Sequence, residues 1–486
     1  MFLGIDIGTS SVKALLLDEH DHIAAQASAP LTLSRPAPLF AEQQPEDWWR
    51  ATTAAVTALP PAARSAVRAI GLSGQMHGAT LLDRNRQPLR PAILWCDGRS
   101  ALECLELEQR EPRSRAISGN LMLPGFTAPK LLWVARHEPD VFARTALVLL
   151  PKDYVRLRMT GAAVTDLSDA SGTGWLDVAR RDWSDALLAA TDLSRAQMPQ
   201  LVEGNAASGE LTAEAAEQLR LPRVVVAGGA GDNAASAVGL GIINPGQALL
   251  SLGTSGVLFV VTDRFRPNAE QAAHAFCHCL PQRWHQMSVM LSAASALDWL
   301  ARVLGEADLG RLMALAQAEP LQRSSPLFLP YLSGERTPHN DPLARGAFFG
   351  LSAQTTRGAL VLAVLEGVAL ALADGMDVLS GSGAAVADID VTGGGARLAL
   401  WGRLLAAALG RPLRYREGGE LGAALGAARL AHLAATGEPV EAVCRAPALK
   451  ATVEPEIDLT ALLAQRRRLF RQLYQDLKQS FQELGT

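Results

Sequence analysis

Lysine is nearly missing from this 486-residue chain: it occurs only at Lys13, Lys130, Lys152, Lys450 and Lys478, and the rest of the 45 basic residues are arginine. With 49 acidic residues the net charge is −4 and the pI about 6.2, which supplies no basic field for a nucleic acid or an anionic membrane surface. Cysteine is also scarce. Cys96, Cys104, Cys277, Cys279 and Cys444 are an odd, sparse set, which argues against a disulfide framework and for a reducing cytoplasm. Cys277-His278-Cys279, with His274 and His285 nearby, matches no zinc module in its spacing, and a structural role is expected. No charged start leads into an apolar run, so no secretory signal is read. The longest apolar helical stretch, 359–379, contains Glu366 and Asp374, and it reads as a buried core helix instead of a membrane span.

Several signatures are absent. There is no Gly-Lys dipeptide and so no Walker A loop, and the protein-kinase Gly-rich loop is missing too. No Gly-x-Gly-x-x-Gly, His-Glu-x-x-His or Gly-x-Ser-x-Gly occurs, which weighs against a Rossmann dehydrogenase, a zinc protease and a serine hydrolase elbow.

What is present begins at once. Phe2–Ile7 and Val12–Leu17 are apolar runs around the small turn Gly8-Thr9-Ser10-Ser11, a strand–turn–strand pattern. The turn's backbone N–H groups and hydroxyls can approach an anion closely. Asp6 ends the first strand beside that turn. A carboxylate there would repel a phosphate directly, so its natural task is to hold Mg²⁺ or its waters. Lys13 supplies a compensating cation. An ordinary hairpin with a polar turn is the alternative. The pattern recurs, however, at Ala248–Val261, where Gly253-Thr254-Ser255-Gly256-Val257 echoes Gly8-Thr9-Ser10-Ser11-Val12. Two such hairpins suggest a duplicated α/β domain gripping one polyphosphate across a cleft. The length also calls for roughly two or three domains. Asn244-Pro245-Gly246 is the candidate boundary, giving halves 1–244 and 245–486.

Other candidates lie at predicted strand ends, where open α/β sheets place ligands. Gln75, Met76 and His77 sit in the loop Gly71–Gly78, whose amide and imidazole suit sugar hydroxyls, although a lone His is more often structural. Trp95, Asp97 and Arg99 form a second cluster, readable as a pocket wall with hydroxyl contacts or as a salt-bridged turn. Val224–Ala235 runs from a buried strand through glycines into Asp232 and Asn233 at a helix start. Locally, Asp232 reads first as a helix N-cap. Ile389–Arg397 carries Gly393-Gly394-Gly395, a turn against which a flat adenine and ribose can pack. Gly418–Ala428 is a small-residue loop and helix suited to close packing, and Ala461–Leu484 reads as a charged amphipathic helix. These are the parts needed for in-line phosphoryl transfer.

The paired hairpins resemble those of the actin, Hsp70 and sugar-kinase superfamily, and within it the chain resembles the FGGY family of carbohydrate kinases. Gly125–His137 is similar to the first FGGY signature, in which Lys130 is expected to pack or dock instead of catalyse. Gly346–Leu351 opens a partial match to the second, with Ala359 where a polar residue is usual. Trp95-x-Asp97-x-Arg99 is a family element, with Cys96 where some relatives carry Asn. Thr165–Gly172 resembles a segment suited to a strand crossing near the sugar site. The resemblance implies two actin-like (ribonuclease H-like) domains around a central cleft, with ATP and Mg²⁺ as cofactors. It makes Asp232 the proton acceptor and Asp6 the metal-side acid, reaching Mg²⁺ through water. Gln75, Met76, His77, Trp95, Asp97, Asp232 and Asn233 then hold the sugar, and Gly8, Thr9, Ser10, Lys13, Gly253, Thr254, Gly394, Gly395 and Arg397 hold ATP. Leu398 stands where many relatives have Ser, a polar contact fewer. Around Gln75-Met76-His77-Gly78 the chain is most similar to the family's D-xylulose kinases. D-xylulose is therefore the expected substrate, with ribulose, gluconate or glycerol as alternatives and a non-enzymatic actin- or chaperone-like ATP-binding protein as a remote one. A sugar and ATP are the expected partners, without nucleic acid or membrane, and a homodimer is among the assemblies the resemblance allows.

Overall fold

The computed structural model describes residues 1–418 and 422–484, so Gly419, Glu420 and Leu421 of the small-residue loop lie outside the described residues. The first half builds β1 (Phe2–Ile7), β2 (Ser11–Leu17), β3 (Ile23–Pro30), β4 (Ala69–Gly74), β5 (Ala207–Glu210), β6 (Val225–Ala227) and β7 (Ala230–Gly231). They form one sheet in the order β5-β6-β4-β1-β2-β3, with β7 also paired to β4. The opening hairpin is antiparallel, Asp6 lying opposite Lys13, while β1 and β4 run parallel with Asp6 beside Ser73.

The second half repeats this plan. β8 (Ala248–Leu252), β9 (Gly256–Thr262), β10 (His274–Cys277), β11 (Trp284–Met290), β12 (Ile389–Thr392), β13 (Leu413–Arg416) and β14 (Leu449–Val453) form a sheet in the order β10-β11-β9-β8-β12-β13-β14. β8 pairs antiparallel with β9 and parallel with β12, as β1 does with β2 and β4. The outer pairs match too: β12–β13 is parallel and β13–β14 antiparallel, as β4–β6 and β6–β5 are. β10 is an added edge strand.

Helices cover these sheets: α1 (Pro45–Thr57), α2 (Thr127–His137), α3 (Pro151–Thr160), α4 (Leu167–Ser171), α5 (Asp232–Gly239), α6 (Arg357–Gly381), α7 (Ala399–Leu409), α8 (Gly422–Thr436) and α9 (Ile457–Leu484). One expectation fails here. Thr165–Gly172 is mostly helix, because the Asp166 side chain accepts from the N–H groups of Ser168 and Asp169 and starts α4. Its strand is only Val164–Asp166. The 359–379 reading holds. α6 is capped by the Thr356 hydroxyl and buried along nearly its whole length. By length and composition α6 could cross a membrane, but it packs against α7, β11 and α9. Its two acids meet arginines there: Glu366 pairs with the buried Arg466, and Asp374 with Arg467 and Arg471.

α8 lies between β13 and β14 of the second sheet in the chain but packs on the first sheet. Its small residues allow that approach. A Cβ on Gly4 would lie 2.0 Å from the Ala424 carbonyl, and one on Gly71 1.8 Å from that of Ala427. α5 crosses α8 just as closely, through Gly426 and the Ala235 carbonyl.

Candidate active site

The first hairpin turn is wired to the loop after β4. The Gln75 N–H donates to the Ile7 carbonyl at 2.9 Å, and the Thr9 hydroxyl donates to Gln75 Oε1 at 3.0 Å. Gln75 Nε2 in turn meets Gln43 Oε1 at 3.0 Å, and Gln43 Nε2 reaches the Thr9 carbonyl at 2.7 Å. Trp95 Nε1 donates to Thr9 Oγ1 at 3.0 Å while half of the indole stays exposed. The amide of Gln75 is thus spent on fastening the phosphate turn to the sugar loop, not on a hydroxyl as expected. The N–H groups of Thr9 and Ser10 meet no acceptor among the described residues.

His77 carries the unusual backbone of this loop, with φ of 68°. Its carbonyl is gripped by the Thr127 hydroxyl at 3.1 Å and by Lys130 Nζ at 3.0 Å, which also reaches the Gly125 carbonyl at 2.7 Å. The first FGGY signature therefore orients the sugar loop from behind. Burial lowers Lys130 to about 7. Burial likewise drops His77 to about 3, so the imidazole is neutral. Its Nδ1 lies 2.6 Å from the Gly172 carbonyl and must be the protonated nitrogen. Nε2 is then a lone-pair acceptor with no partner among the described residues. Met76 is buried beside it, against the positions that a Cβ of Gly172 or Gly231 would occupy.

Asp97 does not behave as a sugar ligand. Its carboxylate accepts from the Ala41 N–H at 2.6 Å, the Arg99 N–H at 3.0 Å, and Arg99 Nε and Nη2 at 2.9 and 2.7 Å. Arg99 also stacks on Phe40 at 3.5 Å. The salt-bridged turn is the geometry found.

Asp232 is the first residue of α5, and Gly231 occupies the cap position without a side-chain bond, so the N-cap reading fails. Only Asp232 Oδ1 is engaged, by the Asn233 N–H at 2.8 Å and its side-chain amide at 2.9 Å. Oδ2 has no partner among the described residues. Burial, aided by the nearby Asp6 charge, raises Asp232 to about 7. Asp6 is itself raised by burial, against the opposing pull of Lys13 and a 3.2 Å bond from the Ser73 hydroxyl. Two acids close enough for the charge of one to raise the other are suited to a divalent cation. Among the described residues no three His, Cys, Asp or Glu side chains are placed to hold a metal ion by themselves, so a protein-only metal cage is not the design. Mg²⁺ fits such a site, since it keeps waters and phosphate oxygens beside one or two carboxylates.

A cavity of about 810 Å³ opens between the two sheets. Asp6 and Lys13 line it from the first half, Gly393, Gly394 and Arg397 from the second, and Ser236 from the next turn of Asp232's helix. Gly394 faces open space, and a Cβ there would meet nothing within 4 Å. Gly395 does not: its Cβ would lie 2.7 Å from Leu252 and 3.0 Å from Trp401, so it is a packing glycine. Gly253 and Thr254 do not line this cavity. Their carbonyls accept the Ala294 and Ala293 N–H groups, both at 2.9 Å, seating the following helix. Sequence reasoning missed Tyr415, Arg416 and Lys450 in the cavity wall. The rarity of lysine was the available signal for Lys450, but the pairing of β14 with β13 was not readable.

Models of the FGGY family of carbohydrate kinases match residues 1–239 with the N-terminal domain and 248–435 with the C-terminal domain. A protein named xylulose kinase from Escherichia coli (strain K12) is 54% identical over 480 residues, 98% of this chain and 99% of that protein. A solved structure described as a xyloylose kinase from Brucella ovis is 50% identical, with a TM-score of 0.95 over 98% of this chain and 99% of its own. A xylulose kinase structure from Rhodospirillum rubrum is 33% identical, with a TM-score of 0.92 over 99% of each chain.

Proposed function

Because this chain belongs to the FGGY family of carbohydrate kinases, we propose that it transfers the terminal phosphoryl group of ATP to D-xylulose, giving D-xylulose 5-phosphate and ADP. The observation that carries this reading is Asp232. It is a half-bonded carboxylate raised to about 7, between the His77 loop and the cavity that Asp6 lines. A base acting near neutral pH needs such a value. The substrate assignment rests on the relatives named xylulose kinase.

The sugar lies against Met76 and His77, with the neutral Nε2 of His77 accepting from a hydroxyl. Asp232 Oδ2 takes the proton of the hydroxyl that attacks. Lys13 and the free N–H groups of Thr9 and Ser10 face the phosphates, and Gly394 and Arg397 border the adenosine. Mg²⁺ beside Asp6 would offset charge on the phosphates. Closure of the halves, with the boundary placed at 244/245, would keep water from competing as acceptor.

Kinetics with MgATP over D-xylulose, D-ribulose, gluconate and glycerol test the assignment. The highest kcat/KM is expected with D-xylulose. A higher value with glycerol or gluconate rejects the substrate and leaves phosphoryl transfer standing.

A further inference from the structure

Five charged side chains lie fully buried behind the sugar loop: Lys152, Asp153, Arg156, Asp166 and Asp169. Lys152 Nζ is 2.6 Å from Asp153, 2.9 Å from Asp166 and 3.0 Å from Asp169. Burial alone would lower Lys152, but the three carboxylates outweigh it and hold the ammonium charged. Burial pushes Asp169 well above the usual carboxylate range. Burying this many charges is poor economy for a scaffold, since well-packed apolar residues usually stabilise as much or more. The cluster therefore needs another reason.

Its outer edge supplies one. Arg156 donates to the Ala227 carbonyl at 2.6 Å and to the Gly228 carbonyl. Asp166 accepts the hydroxyl proton of Ser168, and Ser168 Oγ accepts the Gly231 N–H at 3.1 Å. Between these grips the Gly228 N–H goes to the Ala206 carbonyl at 2.7 Å and the Gly229 N–H to that of Gly204 at 2.9 Å. The segment so held, residues 227–231, ends at Asp232. Gly229, at φ of 76°, turns the chain there.

We propose that Ser168 and Arg156 are positioning residues for the base. Backed by the buried charge cluster, they clamp both ends of the 227–231 segment and fix where the Asp232 carboxylate points. This rests on the reading of Asp232 as the base. The cluster serves as an anchor: a hydroxyl that donates to the buried Asp166 side chain is a fixed acceptor, and Arg156, its Nε 3.7 Å from Asp153, is a fixed donor. Misplacement of a reacting group by about 1 Å can cost on the order of 10²-fold in rate.

The test is Ser168→Ala in the full-length enzyme with D-xylulose and MgATP, compared with wild type and Asp232→Asn. About a tenfold or greater loss of kcat is expected, with little change in KM for ATP. KM for D-xylulose should also hold, because the clamp acts on the 227–231 segment and not on Met76 or His77. Should Ser168→Ala fail to fold, Ser168→Cys, nearly isosteric but a weak acceptor, carries the same test. Wild-type kcat in either folded variant overturns the proposal, as does a loss of kcat matched by an equal rise in either KM. Failure of both to fold assigns the hydroxyl to the fold alone and also overturns it. An active Asp232→Asn enzyme sinks the base assignment instead, so the two failures are distinguishable.

Discussion

The two sheets share a plan and differ in charge at matching places. When Gly8-Thr9-Ser10 is laid on Gly253-Thr254-Ser255, Asp6 falls on Ser251 and Lys13 on Leu258. The neighbouring strand repeats the relation: Ser73 lies beside Asp6, and Thr392 beside Ser251. Beyond Ser73 the chain enters the Gln75-Met76-His77 loop, whereas beyond Thr392 it enters Gly393-Gly394-Gly395. One scaffold position thus carries the Gln75-Met76-His77 loop in the first half and bare backbone beside the cavity in the second. The turns diverge as well, one fastened to the sugar loop and the other seating a helix. Duplication provides the repeated turn, and the second copy lacks the Asp6–Lys13 charge pair of the first.

The sharpest test of this asymmetry is Asp232→Asn, which removes the base and keeps the shape. A fall in kcat of about 10²–10⁴-fold is expected, with both substrates still bound. Stability should move the other way. An unfolded Asp titrates near ~3.9, and burial holds the folded one at about 7. Between those values the folded protein keeps a proton that the unfolded chain has lost, so wild-type stability falls as pH rises through that window. The Asn variant lacks this fall. Its Tm advantage over wild type should therefore grow between about pH 4 and pH 7 and level off above. Wild-type turnover in the variant would remove Asp232 from the mechanism.

Asp6→Ser gives the first half the residue of the second. If Asp6 holds Mg²⁺ through water, the apparent metal affinity should drop by ~10–100-fold, and excess Mg²⁺ should restore part of kcat. A defect indifferent to Mg²⁺ would mean that Asp6 acts otherwise. His77→Ala should weaken D-xylulose binding by about 1–3 kcal/mol through loss of the Nε2 acceptor, with ATP affinity unchanged. Isothermal titration with each ligand separates this from a folding defect, which would weaken both.

Much of this plan is visible in the sequence, because its signals are local. The repeated glycine-hydroxyl turns betray the duplication, and Asp6, Asp232 and Gly394 stand at strand or helix ends where a few residues specify the geometry. Longer-range features were hidden. Gln75 and Asp97 were chosen for their chemistry, but the fold brings Thr9 and Gln43 to one and Ala41 to the other, and these consume the polar groups. The Lys152 cluster draws partners from α3, α4 and the strand between them, so no short window reveals it. Gly394 and Gly395 look alike in sequence, and only packing against Leu252 separates them.

That last pair gives the mildest and most selective test. The Gly394 Cβ position is open and borders the cavity, so Gly394→Val should fold normally while its side chain takes volume that adenosine needs. KM for ATP should rise about tenfold, the scale of a built-in clash, with KM for D-xylulose and Tm held. Gly395→Val should do the reverse. Its Cβ would lie 2.7 Å from Leu252, so it should lower Tm, by about 1–3 kcal/mol of overpacking, more than it alters KM for ATP. The first half offers a control in Gly74, the matching strand end, where a Cβ would lie 3.1 Å from that of Lys152. Gly74→Ala should disturb the sugar side and leave KM for ATP alone. A folded Gly394→Val enzyme with wild-type KM for ATP would break the comparison, because the second half's bare turn would then not be the nucleotide's wall.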